Sequence, residues 1–574
     1  MRFSKGLIGI LLALLIGGFT LTAIGSQVAI GTKGMVASAK ELASEAGAQI
    51  LASGGNAVDA AVATAFVLSV VEPYASGLGG EGYMVLSLAD GRDRAIDYRS
   101  WAPGHVTIKT NPKPRIGPDS TCIPGTVAGL TYALKEYGTM SLAQVLAPAI
   151  RLAKEGFPVD KTFVDLLAAH EFYKNMLENP ELTEAREIFL KDGLIPDVGT
   201  KMTNPQLAHA LELLAAQGPD AFYRGEIAKA IVKATGGWIT SADLQRYQAV
   251  DRDPITSKYR GYEIVGTPPN VAGIVVAEAL NILNNFDLSK YKGWDDPGAI
   301  HLMAEALLLA SADRYPYVGD PDFYALPMEG LLSEEYARDR AQLIDPNKVI
   351  PPREASAGDP YKYMPAASST VPVGVGVLEC VGSPSTTQIS VVDKDGNAVS
   401  ITQTLSYFWG SQVMVPGYGF LLNNELHNFN AYNPDNPNDL NVIEPYKRPR
   451  TVLAPTIVKD QSGRVFLVLG TPGAGRIPST VVETIVNTID FGLPLEEAIK
   501  APKFCSRVAY KELRMESGYS DSTIAALKAL GHKIKTYGTL DLYFGGINAV
   551  MWKPDGTMVG VGSFRRGGGA AGPE

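Results

Sequence analysis

The sequence predicts an α+β fold in which helices stack on mixed sheets, and three observations carry that prediction. Residues from about Gly125 to Asp345 read mostly as helices with polar turns. The last third, from Thr386, is rich in strand-like runs with a few helices between them. No internal repeat or low-complexity linker separates the two stretches, so they are expected to pack together. With 574 residues, 46% of them hydrophobic, the chain can bury a large core as one extended domain or as two intertwined chains. The net charge of -9, with Lys and Arg scattered, offers no basic footprint for nucleic acid.

The chain opens on an address. Arg2 and Lys5 precede an apolar run from Gly6 to Ile24, followed by small residues around Ala23, Gly25 and Ser26. That is the build of a secretory signal, here residues 1–25, and it implies a periplasmic or extracellular protein. The run is near the spanning minimum of ~17–20 residues, so an uncleaved membrane anchor is the alternative, and membrane contact is expected only there.

A short strand at Gly34–Ser38 leads into helical patterns at Glu41–Ala52 and Ala57–Val71, divided by the helix stop Gly54-Gly55 and ended by Pro73. The run Gly77-Leu78-Gly79-Gly80-Glu81-Gly82 formally satisfies GxGxxG, yet it follows a helix and precedes the strand-like Tyr83–Leu88. A dinucleotide site needs the reverse order, so close backbone packing is the better account. Helices are expected at Thr126–Tyr137, Leu142–Glu155, Gln206–Gln217, Ile227–Thr235 and Ala299–Asp313, with few strands between, as at Tyr262–Gly266. Pro351–Val381, rich in Pro, Ser, Gly and Ala, reads as a loose segment leading to Ser385.

At Ser385–Gly410 the pattern becomes a hairpin. The loop Lys394-Asp395-Gly396 suits a type I turn with a left-handed glycine, and it fixes the register. Val391 then meets Val399, Ile389 meets Ile401 and Thr387 meets Gln403 on one face, while Val392/Ala398, Ser390/Ser400 and Gln388/Thr402 share the other. Carried to its end, this register sets Thr386 across from Thr404. Thr-Thr pairs are ordinary in strands, but a threonine whose preceding peptide bond is cut gains an α-amine that can serve as its own general base. The cut would fall between Ser385 and Thr386, giving a large subunit 26–385 and a small subunit 386–574. Further strands are expected at Thr456–Lys459, Arg464–Leu469, Lys533–Thr536, Ile547–Lys553 and Met558–Gly562, with helices at Ser479–Asp490, Leu495–Lys500 and Asp521–Leu530.

Other chemistry is weakly signalled. Cys122, Cys380 and Cys505 make no disulfide framework, and their odd number predicts at least one free thiol. The six histidines show no HExxH or Cys/His ligand spacing, so neither a metal nor another cofactor is expected.

The hairpin resembles the start of the small subunit of the gamma-glutamyltranspeptidases, N-terminal nucleophile hydrolases whose precursors cleave themselves before a Thr-Thr pair. Ordered blocks extend the resemblance along nearly the whole chain, among them LGGEGYMVL from Leu78, ADRYPYVGDPDF from Ala312, LLNNELHNF from Leu421 and TPGAGRIPSTV from Thr471. It implies a four-layer αββα sandwich made as one intertwined unit from a self-cleaved precursor. It also implies Thr386 as nucleophile, Thr404 as its orienting partner, and the Gly473-Ala474 turn as oxyanion donor, with alanine replacing the usual second glycine.

For the substrate, the resemblance implies Arg99 on the α-carboxylate and Glu425 on the α-amino group. Several positions depart from the family pattern: Ser100 stands where an acidic residue is frequent, Ser406 where asparagine is usual, Asn428 where aspartate is, and Thr451-Val452 where a Ser-Ser pair is. Arg450 is a second candidate carboxylate partner, and the stretch between Asn430 and Lys447 is shorter than the lid loop of many bacterial members. The main expectation is transfer or hydrolysis of γ-glutamyl groups from glutathione-like donors to an amine or water. The alternative is an acylase for glutaryl or polyglutamyl donors lacking a free α-ammonium. A non-catalytic exported binding protein is the reading from another class.

Overall fold

The computed structural model describes residues 27–365 and 385–573. The expected leader, Cys380 and most of the approach to the expected cut lie outside these residues.

Two seven-stranded sheets face each other. In the first, the strands run Gly569–Ala571, Gly34–Ser38, Thr387–Asp393, Ala398–Thr404, Glu81–Ser87, Asp93–Tyr98 and Val250–Arg252. In the second they run Val28–Gly31, Met558–Val561, Asn548–Trp552, Val465–Gly470, Thr456–Lys459, Tyr262–Gly266 and Ile255–Tyr259. Strands from before and after Thr386 are combined in both, so neither portion owns a sheet. The short strands at either edge, such as Val28–Gly31 and Gly569–Ala571, carry too few residues for a periodic signal and have no counterpart among the expected strands.

The hairpin at the centre of the first sheet has the expected register, from Thr387 opposite Gln403 to Val392 opposite Ala398. Gly396 takes φ +102°, the left-handed turn position that only glycine holds without strain. The two faces then do different work. Ile389, Val391, Val399 and Ile401 pack under the helices Glu41–Ala52 and Ala57–Val71 in the first outer core. Val392 and Ala398 join Met35, Val85, Val468 and Val550 between the sheets. The polar members of that inner face are satisfied across the gap: Ser390 Oγ donates to the Asn548 carbonyl and Ser400 Oγ to that of Leu469, each at 2.9 Å.

Helices Gly273–Leu283, Pro297–Tyr317 and Ile477–Ile489 cover the second sheet and build the other outer core. The layers are therefore helix, sheet, sheet, helix, the αββα order. Helix Ala57–Val71 is buried along its whole length, which is why it reads as uniformly apolar rather than amphipathic.

The glycine run is a packing device. A Cβ at Gly79 would meet the Leu421 backbone, one at Gly80 would lie 2.5 Å from the Thr404 carbonyl oxygen, and one at Gly82 would enter the Tyr98 ring. These glycines let the Leu421–Asn423 segment and the end of the Ala398–Thr404 strand approach. Cys122 and Cys505 are buried free thiols, and burial pushes both thiols above their usual range, as for small apolar side chains.

Candidate active site

The end of the hairpin opens into a pocket lined by Thr386, Thr404, Ser406, Glu425, Asn428 and Ala474, among others. Thr386 Oγ1 lies 3.1 Å from Thr404 Oγ1. Thr404 Oγ1 in turn accepts the Ser406 N–H at 2.8 Å, which fixes its lone pairs and aims it at Thr386. Among the described residues no histidine lines the pocket, so no imidazole stands ready as a base.

The backbone here is strained. Thr386 holds φ +91° and Ser406 φ +81°. For a β-branched residue this is an outlier costing on the order of 1–3 kcal/mol, and it must be held by its surroundings. Arg566 Nη1 donates to the Thr386 carbonyl at 2.8 Å, and Ser385 Oγ donates to the Ala75 carbonyl at 3.3 Å. The Arg566 guanidinium is fully enclosed, and burial, partly offset by Glu72, pulls it down to about 10. No sequence signal marks Arg566, which lies 180 residues from the threonine it holds.

Gly473 takes φ +136° and Ala474 φ +49° at the start of a short 3-10 turn that runs into helix Ile477–Ile489. The turn's N–H groups and the helix N-terminus supply positive potential on this side of the pocket. Ala474 reaches the pocket, whereas Gly473 supports it from behind against Gly545.

The expected substrate contacts divide. Asn428 Nδ2 donates to Ser406 Oγ at 2.9 Å and to Glu425 Oε2 at 2.7 Å, so these three side chains form one connected group. Thr451 and Val452 also line the pocket, and Thr451 Oγ1 is buried without a hydrogen-bond partner among the described residues. Arg99 is placed differently. It is fully buried, paired with Glu81 and, at 3.3 Å, with Glu425 Oε2, and it does not line the pocket. The expected placement of Arg99 in the pocket lining is thus not found: Glu81 and Glu425 hold its guanidinium away from the cavity.

Three other arginines do line the pocket: Arg450, as the sequence suggested, and Arg314 and Arg507, which it did not single out. Arg450 Nη1 donates to the Tyr315 carbonyl at 2.7 Å, and Arg507 Nη2 to the Tyr315 hydroxyl at 2.8 Å. The stretch after Asn430 folds back on itself, with Asn430 N–H bonded to the Asn441 carbonyl at 2.9 Å, and both asparagines border the pocket.

Relatives share this architecture. The profile of the family described as Gamma-glutamyltranspeptidase matches residues 43–573. The chain belongs to the gamma-glutamyltranspeptidase family. It is 40% identical over 549 residues to the glutathione hydrolase proenzyme of Escherichia coli strain K12, covering 92% of this chain and 90% of that one. It is also 36% identical over 559 residues to an Acylase ACY 1 proenzyme of Pseudomonas sp. strain SE83, covering 94% and 93%. Among solved structures, the cephalosporin acylase from Bacillus halodurans superposes with a TM-score of 0.84 at 30% identity, covering 95% of this chain and 97% of that one. This gamma-glutamyltranspeptidase family member is an enzyme of the N-terminal nucleophile hydrolase type, with that fold, and the binding-protein reading is set aside.

Proposed function

We propose that the chain cleaves itself between Ser385 and Thr386 and then, through Thr386, hydrolyses or transfers the γ-glutamyl group of glutathione-like amides. The observation that carries this is the strained Thr386, hydroxyl to hydroxyl with Thr404 at 3.1 Å in the mouth of the pocket. In the precursor, Thr386 Oγ adds to the Ser385 carbonyl carbon, the Ser385–Thr386 C–N bond breaks, and water hydrolyses the resulting ester. The left-handed backbone is relieved once the chain is cut, which favours cleavage.

The freed α-amine, with an ordinary pKa near 8, takes the Thr386 hydroxyl proton as Oγ attacks the γ-carbonyl. The developing oxyanion is met by N–H groups of the Gly473-Ala474 turn. The leaving amine takes the proton, and water or an amine acceptor then releases the acyl group from Thr386. Glu425, oriented by Arg99 and Asn428, is the candidate for the donor's α-ammonium. Arg450 and the Thr451 hydroxyl are candidates for its α-carboxylate. The leader further supports export, with cleaved and anchored forms both compatible with the sequence.

One observation favours a second reading. The residue beside Glu425 is the neutral amide of Asn428, which donates to Glu425 and to Ser406 alike, so it offers an ammonium no second carboxylate and suits a glutaryl donor. Intact mass of the purified protein and turnover of paired γ-glutamyl and glutaryl anilides, by wild type and Thr386→Ala, test both. Two fragments meeting at Ser385/Thr386 with γ-glutamyl turnover ahead support the first reading, and glutaryl turnover ahead supports the second. An uncut, inactive wild type defeats both.

A further inference from the structure

Away from the threonine pocket, the fold assembles a group that spacing along the chain does not reveal. His301 and Glu305 lie one turn apart on the same face of helix Pro297–Tyr317. His532, from the opposite side of the expected cut, follows helix Asp521–Ala529 and is turned toward them at Gly531, where φ is +107°. His301 Nδ1 lies 2.8 Å from His532 Nε2, and one ligand atom from each of the three residues falls within 4.8 Å of the others. All three side chains are buried.

From this arrangement we infer that His301, Glu305 and His532 form a binding site for a zinc-type divalent cation. The roles of the ring atoms follow from their outer partners. His301 Nε2 faces the Asp345 carbonyl oxygen at 2.9 Å, so it carries the hydrogen and leaves Nδ1 as a bare lone pair directed into the group. Glu305 Oε2 accepts the Ile350 N–H at 2.8 Å, which holds the carboxylate in place. The backbone between Asp345 and Ile350 therefore orients two ligands at once. A ligand histidine donating its other N–H to a backbone carbonyl is the usual outer support of a metal site.

The dimensions fit a small ion after a slight opening. Two imidazole nitrogens at ~2.0–2.1 Å from a tetrahedral zinc are roughly 3.3 Å apart. The present 2.8 Å is a ring-to-ring hydrogen bond, so the rings need to part by about half an ångström. Two imidazoles with one carboxylate select zinc and its neighbours over magnesium or calcium, which prefer all-oxygen shells. Glu305 and His532 also border a cavity of ≈ 490 Å³, a route for the ion and room for a water as fourth ligand.

The site has a position with consequences. His301 and Glu305 belong to the large-subunit portion and His532 to the small, so a bound ion ties the two chains after cleavage. The same helix carries Arg314 and Tyr315 into the threonine pocket, and Arg507 borders both cavities.

The test uses the full purified protein, stripped with a chelator and dialysed against Zn²⁺, with metal counted by mass spectrometry. One zinc per chain pair is expected, with a rise in Tm of several degrees, and Co²⁺ in its place should show the intense visible bands of a tetrahedral ion. Glu305→Gln keeps an acceptor for the Ile350 N–H and should weaken zinc binding at least tenfold, and His532→Gln should do so more strongly. Absence of stoichiometric zinc in the wild type would overturn the inference. So would unchanged binding in Glu305→Gln, or weak octahedral cobalt bands in the wild type, a readout that depends on no variant folding.

Discussion

Thr404 Oγ1 accepts one backbone hydrogen from Ser406 and has the Thr386 hydroxyl as its other neighbour. Replacing it with valine keeps the shape and removes both neutral hydrogen bonds, of which the one to the Thr386 hydroxyl is worth about 1 kcal/mol. Thr404→Val is therefore expected to slow both self-cleavage and anilide turnover by roughly five- to tenfold, read from fragment appearance and kcat; unchanged rates would show that Thr404 does not orient Thr386. At Asn428 the change is electrostatic. Asn428→Asp places a second carboxylate beside Glu425, a pair that a cation between them relieves. The ratio of kcat/KM for γ-glutamyl over glutaryl anilide is expected to rise about ten- to a hundredfold, and a fall would reverse the assignment of this wall. His427 gives a pH prediction. Burial, then the charges of Lys113 and Arg115, hold its imidazole down to about 4, below the 6.5 of the unfolded chain. The folded state thus binds fewer protons, so this contribution to stability is complete above pH 6.5 and is lost as pH falls toward 4. Urea midpoints for His427→Gln should decline less over that window than those of wild type, and parallel declines would refute the assignment.

Elements show how much of the site is set by local pattern. The Lys394-Asp395-Gly396 loop fixes the hairpin register, so the Thr386/Thr404 pairing is legible before any tertiary contact is known. The helices at Glu41–Ala52, Ala57–Val71, Thr126–Tyr137 and Leu142–Glu155 have the expected bounds because caps and stops sit at their ends, as in the capping boxes of Asn56 and Ser141. The glycine run and the Gly473-Ala474 turn add backbone geometry to the pattern. A methyl at Gly80 would press on the Thr404 carbonyl, which belongs to a central strand and cannot yield as a side-chain tip would. Gly80→Ala is expected to impair cleavage and to destabilise by about 1–3 kcal/mol, measured by urea unfolding alongside fragment formation. Ala474 tolerates φ +49°, so Ala474→Gly should retain activity, whereas β-branched Ala474→Val should lose most of it through the turn rather than through any lost side-chain contact. Comparable activity in the two variants would remove the turn from the mechanism.

Across the whole molecule, both sheets combine strands from before and after Thr386, so the proposed cut would free an end without exposing a sheet edge. The cleaved chains are expected to run as one species on gel filtration and as two only under denaturing conditions. Native separation would contradict the shared sheets. Charge, composition, hairpin register, the bounds of the first four helices and the ordered motif blocks were determined by the sequence alone, since each depends on neighbours a few residues away or on periodicities of two and 3.6. The tertiary structure alone decided that Arg99 turns to Glu81 and Glu425, that Arg314 and Arg507 join Arg450 in the pocket, and that Arg566 holds the Thr386 carbonyl. It also decided that His301, Glu305 and His532 meet. Those placements are fixed by how layers pack between residues hundreds of positions apart, and a long polar side chain goes to whichever partner the packing brings within hydrogen-bond reach.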